Sequence, residues 1–307
     1  MIQSFTRLAS LLTLSALTLA CQQEPVEFVA INTPEPILAE LPQAPPTIKS
    51  GKSQVAPTVA IAMAEFITIG ESDEVGNRVL FNHRGNKQLA FDFAPGTSFD
   101  GTDDISYYID PTRPSAKLPV EESTAALKRA MQTWEEASCS ELGMYEVPAT
   151  GVPTGFVSDY YGYGGSREYV ADIIHNGWLP AAFFKKVFGN RGNSIIAVTF
   201  TLEMRDAFNR AVDSNKDGKN DVAWREIYYN DRFNWETGID AETIALHEAG
   251  HGLSQDHFGK GFKNTKTGEV HYSPRAVMNA VYNGVNTTVE GTDNSGHCSI
   301  WANWPKK

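Results

Sequence analysis

Apolar and polar positions divide the chain into four stretches. Residues 1–20 place a single charge, Arg7, ahead of an apolar run from Leu8 to Ala20. That is the profile of a secretory signal, too short for a stable membrane span. Residues 21–60 show almost no helical or strand periodicity and hold 7 of the 16 prolines. They predict a semi-rigid, extended tether. Residues 61–102 carry short β-like runs at Ala64–Ile69, Arg78–Asn82 and Gln88–Phe93. Gly76-Asn77 and Gly85-Asn86 fall between these runs and predict hairpins. This stretch is expected to form a small β extension or a pro-segment.

From residue 103 to 307 strands and helices mix, predicting one α+β domain. Strands are expected at Ile105–Ile109, Met144–Val147, Tyr169–Ile174, Ile195–Leu202 and Glu226–Tyr229. The fourth is the most strongly β-branched. Glu121–Ala137 predicts a helix, because Leu127, Ala130, Met131, Trp134 and Ala137 recur at a spacing of three or four. Glu121 and Glu122 suit its first turn, where the helix dipole favours anions. Further helices are expected at Ala241–Leu253 and around Thr292–Asn303. Tyr160–Gly165 predicts a loop.

Composition narrows the function. The chain has 26 basic and 37 acidic residues, a net charge of −11, which argues against nucleic-acid binding. Hydrophobic residues at 41% suffice for a sizeable core. Three cysteines are too few for a zinc domain built on four thiolates.

Candidate chemistry is concentrated in residues 247–257, which hold 3 of the 7 histidines. On a helix, His247 and His251 lie one turn apart and face the same side. That spacing suits two imidazole ligands on one zinc ion. Glu248 is placed to act on a water as general base rather than to ligate. His257 can join as a third ligand only if the helix stops and the chain turns back.

His-Glu-Ala-Gly-His-Gly-Leu-Ser-Gln-Asp-His resembles the signature of the metzincin zinc proteases, H-E-x-x-H-x-x-G-x-x-H followed by a methionine turn. Ser254 departs from it at the glycine, where a positive φ costs a non-Gly residue about 1 kcal/mol or more. Ser273-Pro274-Arg275-Ala276-Val277-Met278-Asn279 stands where the methionine turn should be, with Met278 as a packing floor beneath the metal. Tyr282 is a candidate pocket residue. The resemblance covers roughly residues 103–304. It implies a mixed, twisted sheet of about five strands packed with the active-site helix and two further helices. It also implies that Ile195–Leu202, including Ala197 and Val198, is the edge strand along which a substrate peptide binds. The element order is similar to the matrixin branch, without its cysteine-switch motif. The implied activity is zinc-dependent endopeptidase action on protein or peptide substrates, with the chain acting as a monomer. The competing expectation is a non-catalytic, surface-anchored lipoprotein that uses such a fold for binding. Retention of Glu248 favours the enzyme.

Three weaker signals remain. Leu17-Thr18-Leu19-Ala20-Cys21 resembles a bacterial lipoprotein signal, which implies lipidation of Cys21 and export to a periplasmic or cell surface; the alternative is a plain cleaved signal and secretion. Asp213, Asn215, Asp217 and Asp221, with Gly218, follow the first part of an EF-hand-like loop. The closing acid is missing, so calcium competes with an ion-free polar turn. Cys139 and Cys298 are left as a pair once Cys21 is set aside, to be either bridged in an oxidising compartment or buried as thiols.

Overall fold

The computed structural model describes residues 26–31, 37–39, 58–70, 75–81, 91–137 and 139–305. The signal, Cys21 and the Gly85-Asn86 hairpin lie outside them. The first strands are β1 (Phe28–Ile31), β2 (Ile37–Leu38), β3 (Thr58–Ile69), β4 (Arg78–Leu80), β5 (Phe91–Asp92) and β6 (Ile105–Ile109). They are followed by α1 (Val120–Glu135), β7 (Met144–Glu146), α2 (Phe156–Tyr160), β8 (Ile173–Leu179), α3 (Ala181–Phe188) and a 3-10 turn at Gly189–Asn193. The chain continues through β9 (Ile195–Arg205), β10 (Asn220–Asn230), α4 (Ala241–Gly252), β11 (Lys260–Asn264), β12 (Val270–Ser273), β13 (Val281–Tyr282) and α5 (Gly291–Trp301).

The fold is mixed α and β. Its main sheet runs β2-β4-β3-β9-β10-β8-β6-β7, with β13 beside β3 and β5 beside β10. A smaller sheet is ordered β1-β11-β12. β10 runs parallel to β8 and antiparallel to β9. One face of the sheet packs on α1 and α4 through Leu127, Met131, Trp134, Ile244, Leu246 and Leu253. The other packs on α3 through Phe183 and Phe184. β9 is buried at nine consecutive positions, as a β-branched run covered on both faces should be. No described helix is long and apolar enough to cross a membrane.

Three expectations are corrected. Residues 61–102 do not form a separate extension. β3 starts at Thr58, inside the expected tether, and sits within the main sheet, pairing antiparallel with β9 from Thr58↔Arg205 to Thr68↔Ile195. Its sequence is apolar on both faces because both faces are covered. The tether itself contributes β1 to β11 and β2 to β4. Accordingly the sheet has ten strands rather than about five, among the described residues. Last, Ala197 and Val198 do not lie on an edge: β9 is flanked by β10 and β3, and both residues are buried. Helices α1, α4 and α5 lie within two residues of their expected bounds.

The sulfurs of Cys139 and Cys298 lie at disulfide distance, with 5.7 Å between the two Cα atoms. The pair links the segment after α1 to α5.

Candidate metal centre

Helix α4 is nucleated by Asp240, whose carboxylate accepts the Thr243 N–H at 2.7 Å. Its interior can be apolar all round because it lies wholly inside the protein; every residue from Ile244 to Gly252 is buried. Gly250 is required by packing: a Cβ there would collide with Met278 Sδ and press on Trp134. Trp134 in turn donates its indole N–H to the Leu246 carbonyl at 2.8 Å.

The helix ends at Ser254, which adopts φ 69° in the left-handed region. The Gln255 N–H then bonds the Gly250 carbonyl at 2.9 Å. This reversal carries His257 back toward the helix. Ser254 is held by its hydroxyl, which accepts from Arg225 at 2.8 Å and donates to Asp92 at 3.0 Å. Arg225 is buried and also bonds the Gly252 carbonyl at 2.8 Å. The departure from glycine is therefore compensated by two polar bonds that glycine cannot make. Ser254→Gly should relieve about 1 kcal/mol of backbone strain yet lose a charge-assisted bond of about 1.5–3 kcal/mol. Denaturant midpoints should rank wild type above Ser254→Gly, and Ser254→Gly above Ser254→Ala. A glycine variant more stable than wild type would overturn this account.

The three Nε2 atoms of His247, His251 and His257 converge, at 3.1 Å for 247–251, 3.2 Å for 251–257 and 3.3 Å for 247–257. On the far side of each ring, His247 Nδ1 faces the Val277 carbonyl at 2.7 Å and His251 Nδ1 faces the Gln255 carbonyl at 2.7 Å. A carbonyl only accepts, so both Nδ1 atoms carry the proton and, in the neutral ring, Nε2 presents a bare lone pair. Lone pairs aimed at one another repel, and a cation between them removes the conflict. Nitrogens on a tetrahedral ion at about 2.0–2.1 Å would lie about 3.3 Å apart, close to the observed triangle. The cluster could hold a metal, and it is the one such group among the described residues.

The local field also favours positive charge. Burial alone would lower the His251 pKa, but the Glu65 carboxylate, with Glu248 and the Gln255 carbonyl, outweighs it and holds the pKa raised to about 9. Burial pushes His247 and His257 well down, with His251 adding to the shift. A proton on His251 Nε2 and a metal ion answer the same demand. Glu248 is fully buried, and burial pushes its pKa up to about 7, against the opposing charge of His251 and a bond from Thr199. Thr199 Oγ1 donates to Glu248 Oε2 at 2.6 Å, while Oε1 has no hydrogen-bond partner.

No family model matches this chain, and no curated protein matches it.

Met278 is buried beneath α4, against Gly250. Its turn is fixed by Asp293 of α5, whose carboxylate accepts the Val277 and Met278 N–H groups at 2.8 and 3.1 Å. The Met278 carbonyl accepts from Phe258 at 2.8 Å, tying the turn to the residue after His257. Tyr282, the candidate pocket residue, lines a cavity beside Asp240, and its hydroxyl accepts the Asp240 N–H at 3.2 Å, at the start of α4 and about two turns before His247.

The acidic-loop side chains bond the loop's own backbone. Asp213 accepts the Asp217 and Gly218 amides, Asn215 accepts the Asp217 amide, and Asp217 accepts the Lys219 amide. Asp221 accepts the Ser214 amide.

Four supporting residues escaped sequence reading: Thr199, Arg225, Asp293 and Glu65. Only Glu65 left a readable signal, a lone acid inside a twelve-residue strand that is otherwise almost wholly apolar.

Proposed function

We propose that the chain is a zinc-dependent endopeptidase of the metzincin kind, exported and acting on protein or peptide substrates. The convergence of three Nε2 lone pairs beside a buried Glu248 with one unpaired oxygen carries this reading. His247, His251 and His257 would hold the ion, and the Met278 turn would support them from beneath. When bound, zinc supplies Lewis acidity, polarising a carbonyl and acidifying water.

The chain's own residues supply the proton handling. Glu248, with a pKa of about 7, is poised to accept a proton from the attacking water and return it to the leaving amine. Thr199 fixes one carboxylate oxygen and leaves the other for that exchange. Val277 and Gln255 fix the ring orientation of His247 and His251.

The test is incubation of the purified protein with a diverse peptide library, with and without a zinc chelator. Internal cleavage abolished by the chelator and restored by zinc is expected. Failure to cut any peptide, combined with tight binding of a partner protein by wild type and Glu248→Gln alike, would replace the enzyme with the binding lipoprotein.

A further inference from the structure

Beyond the histidines and Glu248, one more carboxylate is buried against the cluster. Glu65 is 3% exposed, in the middle of β3. Its Oε2 lies 3.2 Å from His251 Nδ1, and its Oε1 has no hydrogen-bond partner. The nearest ion-pair contact to Oε1 is Arg78 Nε at 3.8 Å, and Arg78 also pairs with Asp256. A carboxylate buried this deeply is costly unless it serves a strong partner.

Register explains the placement. Glu65 and Thr199 are direct cross-strand partners on β3 and β9. Such neighbours share one face of the sheet. Glu248 and His251 lie three residues apart on α4, hence on one face of the helix. The two pairs meet: Thr199 holds Glu248 at 2.6 Å while Glu65 lies against His251.

We propose that Glu65 is a positioning residue of the metal centre, sharing the His251 Nδ1–H with the closer Gln255 carbonyl and supplying negative charge to offset a dication held at Nε2. This deepens the zinc reading of the same site and rests on it. The segment around Glu65, resembling an appendage in the sequence, is on this view part of the centre. Its loss would be expected to disable metal binding rather than to activate the protein.

The experiment uses the full chain, its Glu65→Gln variant, and Glu65→Asp, which keeps the charge but draws it back from the ring. Zinc affinity is measured by competition with a chromophoric chelator, the ligand field by the visible spectrum of the cobalt(II)-loaded protein, and the fold by melting of the metal-free form. Glu65→Gln should bind zinc about 10–100-fold more weakly, the usual cost of losing such a supporting partner. Its cobalt spectrum should shift, and because Glu65 also favours a proton on His251 in the metal-free protein, metal-free melting near neutral pH should fall as well; Glu65→Asp should fall between on each readout. Unchanged zinc affinity and cobalt spectrum in Glu65→Gln would overturn the proposal. So would a drop in metal-free melting with affinity intact, which marks a purely structural acid. If Glu65→Gln does not fold, the same readouts on Glu65→Asp decide; if neither folds, the proposal falls. Wild type that binds no zinc would instead sink the proposed function itself.

Discussion

Replacing Glu248 by Gln should lower peptide hydrolysis by about 10²–10⁴-fold, the usual contribution of a general base. Metal content should not change, because Glu248 stands beside the histidine triangle and is not part of the converging set. The fold should hold as well. Glutamine keeps a side-chain carbonyl that can accept the Thr199 hydroxyl, which now bonds Glu248 at 2.6 Å. Removing a buried carboxylate that burial already disfavours carries little structural cost. The informative result is a split: turnover lost, zinc stoichiometry and melting temperature retained. Loss of metal in Glu248→Gln would make Glu248 a ligand and defeat the proposed mechanism.

His257→Ala should produce the opposite pattern, in which metal goes first and activity follows. The other two ligands stand on one helix, fixed by Val277 and Gln255, and should survive as a pair. Two imidazoles leave a four-coordinate ion half open, so zinc affinity should fall by more than the about 10–100-fold typical of losing a supporting hydrogen bond. Metal analysis after dialysis should show near-stoichiometric zinc in wild type and far less in the variant. Full retention would mean that a different group completes the site.

The candidate centre was far more legible in the sequence than the sheet around it. His247, Glu248, His251 and His257 are named by spacing alone, because a helical turn converts an interval of four into a shared face. His257 joins them only where the chain turns back, and Ser254 makes that turn at φ 69°. The distance of Met278 along the chain from His257 suits a methionine turn, and Met278 packs against Gly250 of α4.

The strand order was not legible, and the reasons are physical. β3 carries several alanines and begins directly after Pro57, so local propensity hides a strand whose burial comes from β9, β4 and the helices on either face. Hydrogen-bond partners distant in sequence leave no periodicity of their own. Glu65, Thr199 and Asp293 act on the centre from β3, β9 and α5, and no interval in the chain relates them. After Met278 the chain crosses to β3, pairing Val281 and Tyr282 with Thr68 and Ile69, and brings the Tyr282 hydroxyl to Asp240 at the start of α4, contacts that no sequence interval announces.

The pairing of β3 with β9 also governs the order of assembly. During synthesis Thr58–Ile69 emerges well before Ile195–Arg205, its longest partner. Until then an almost wholly apolar strand waits with much of its hydrogen-bonding edge open. Such non-local pairing delays folding and exposes the nascent chain to aggregation. The third histidine emerges later still, so a competent centre forms only once nearly the whole chain has collapsed around it. A chain with this topology must be kept from self-association until its C-terminal half arrives, and any premature stop upstream of β9 leaves an adhesive fragment that lacks all three histidines of the cluster.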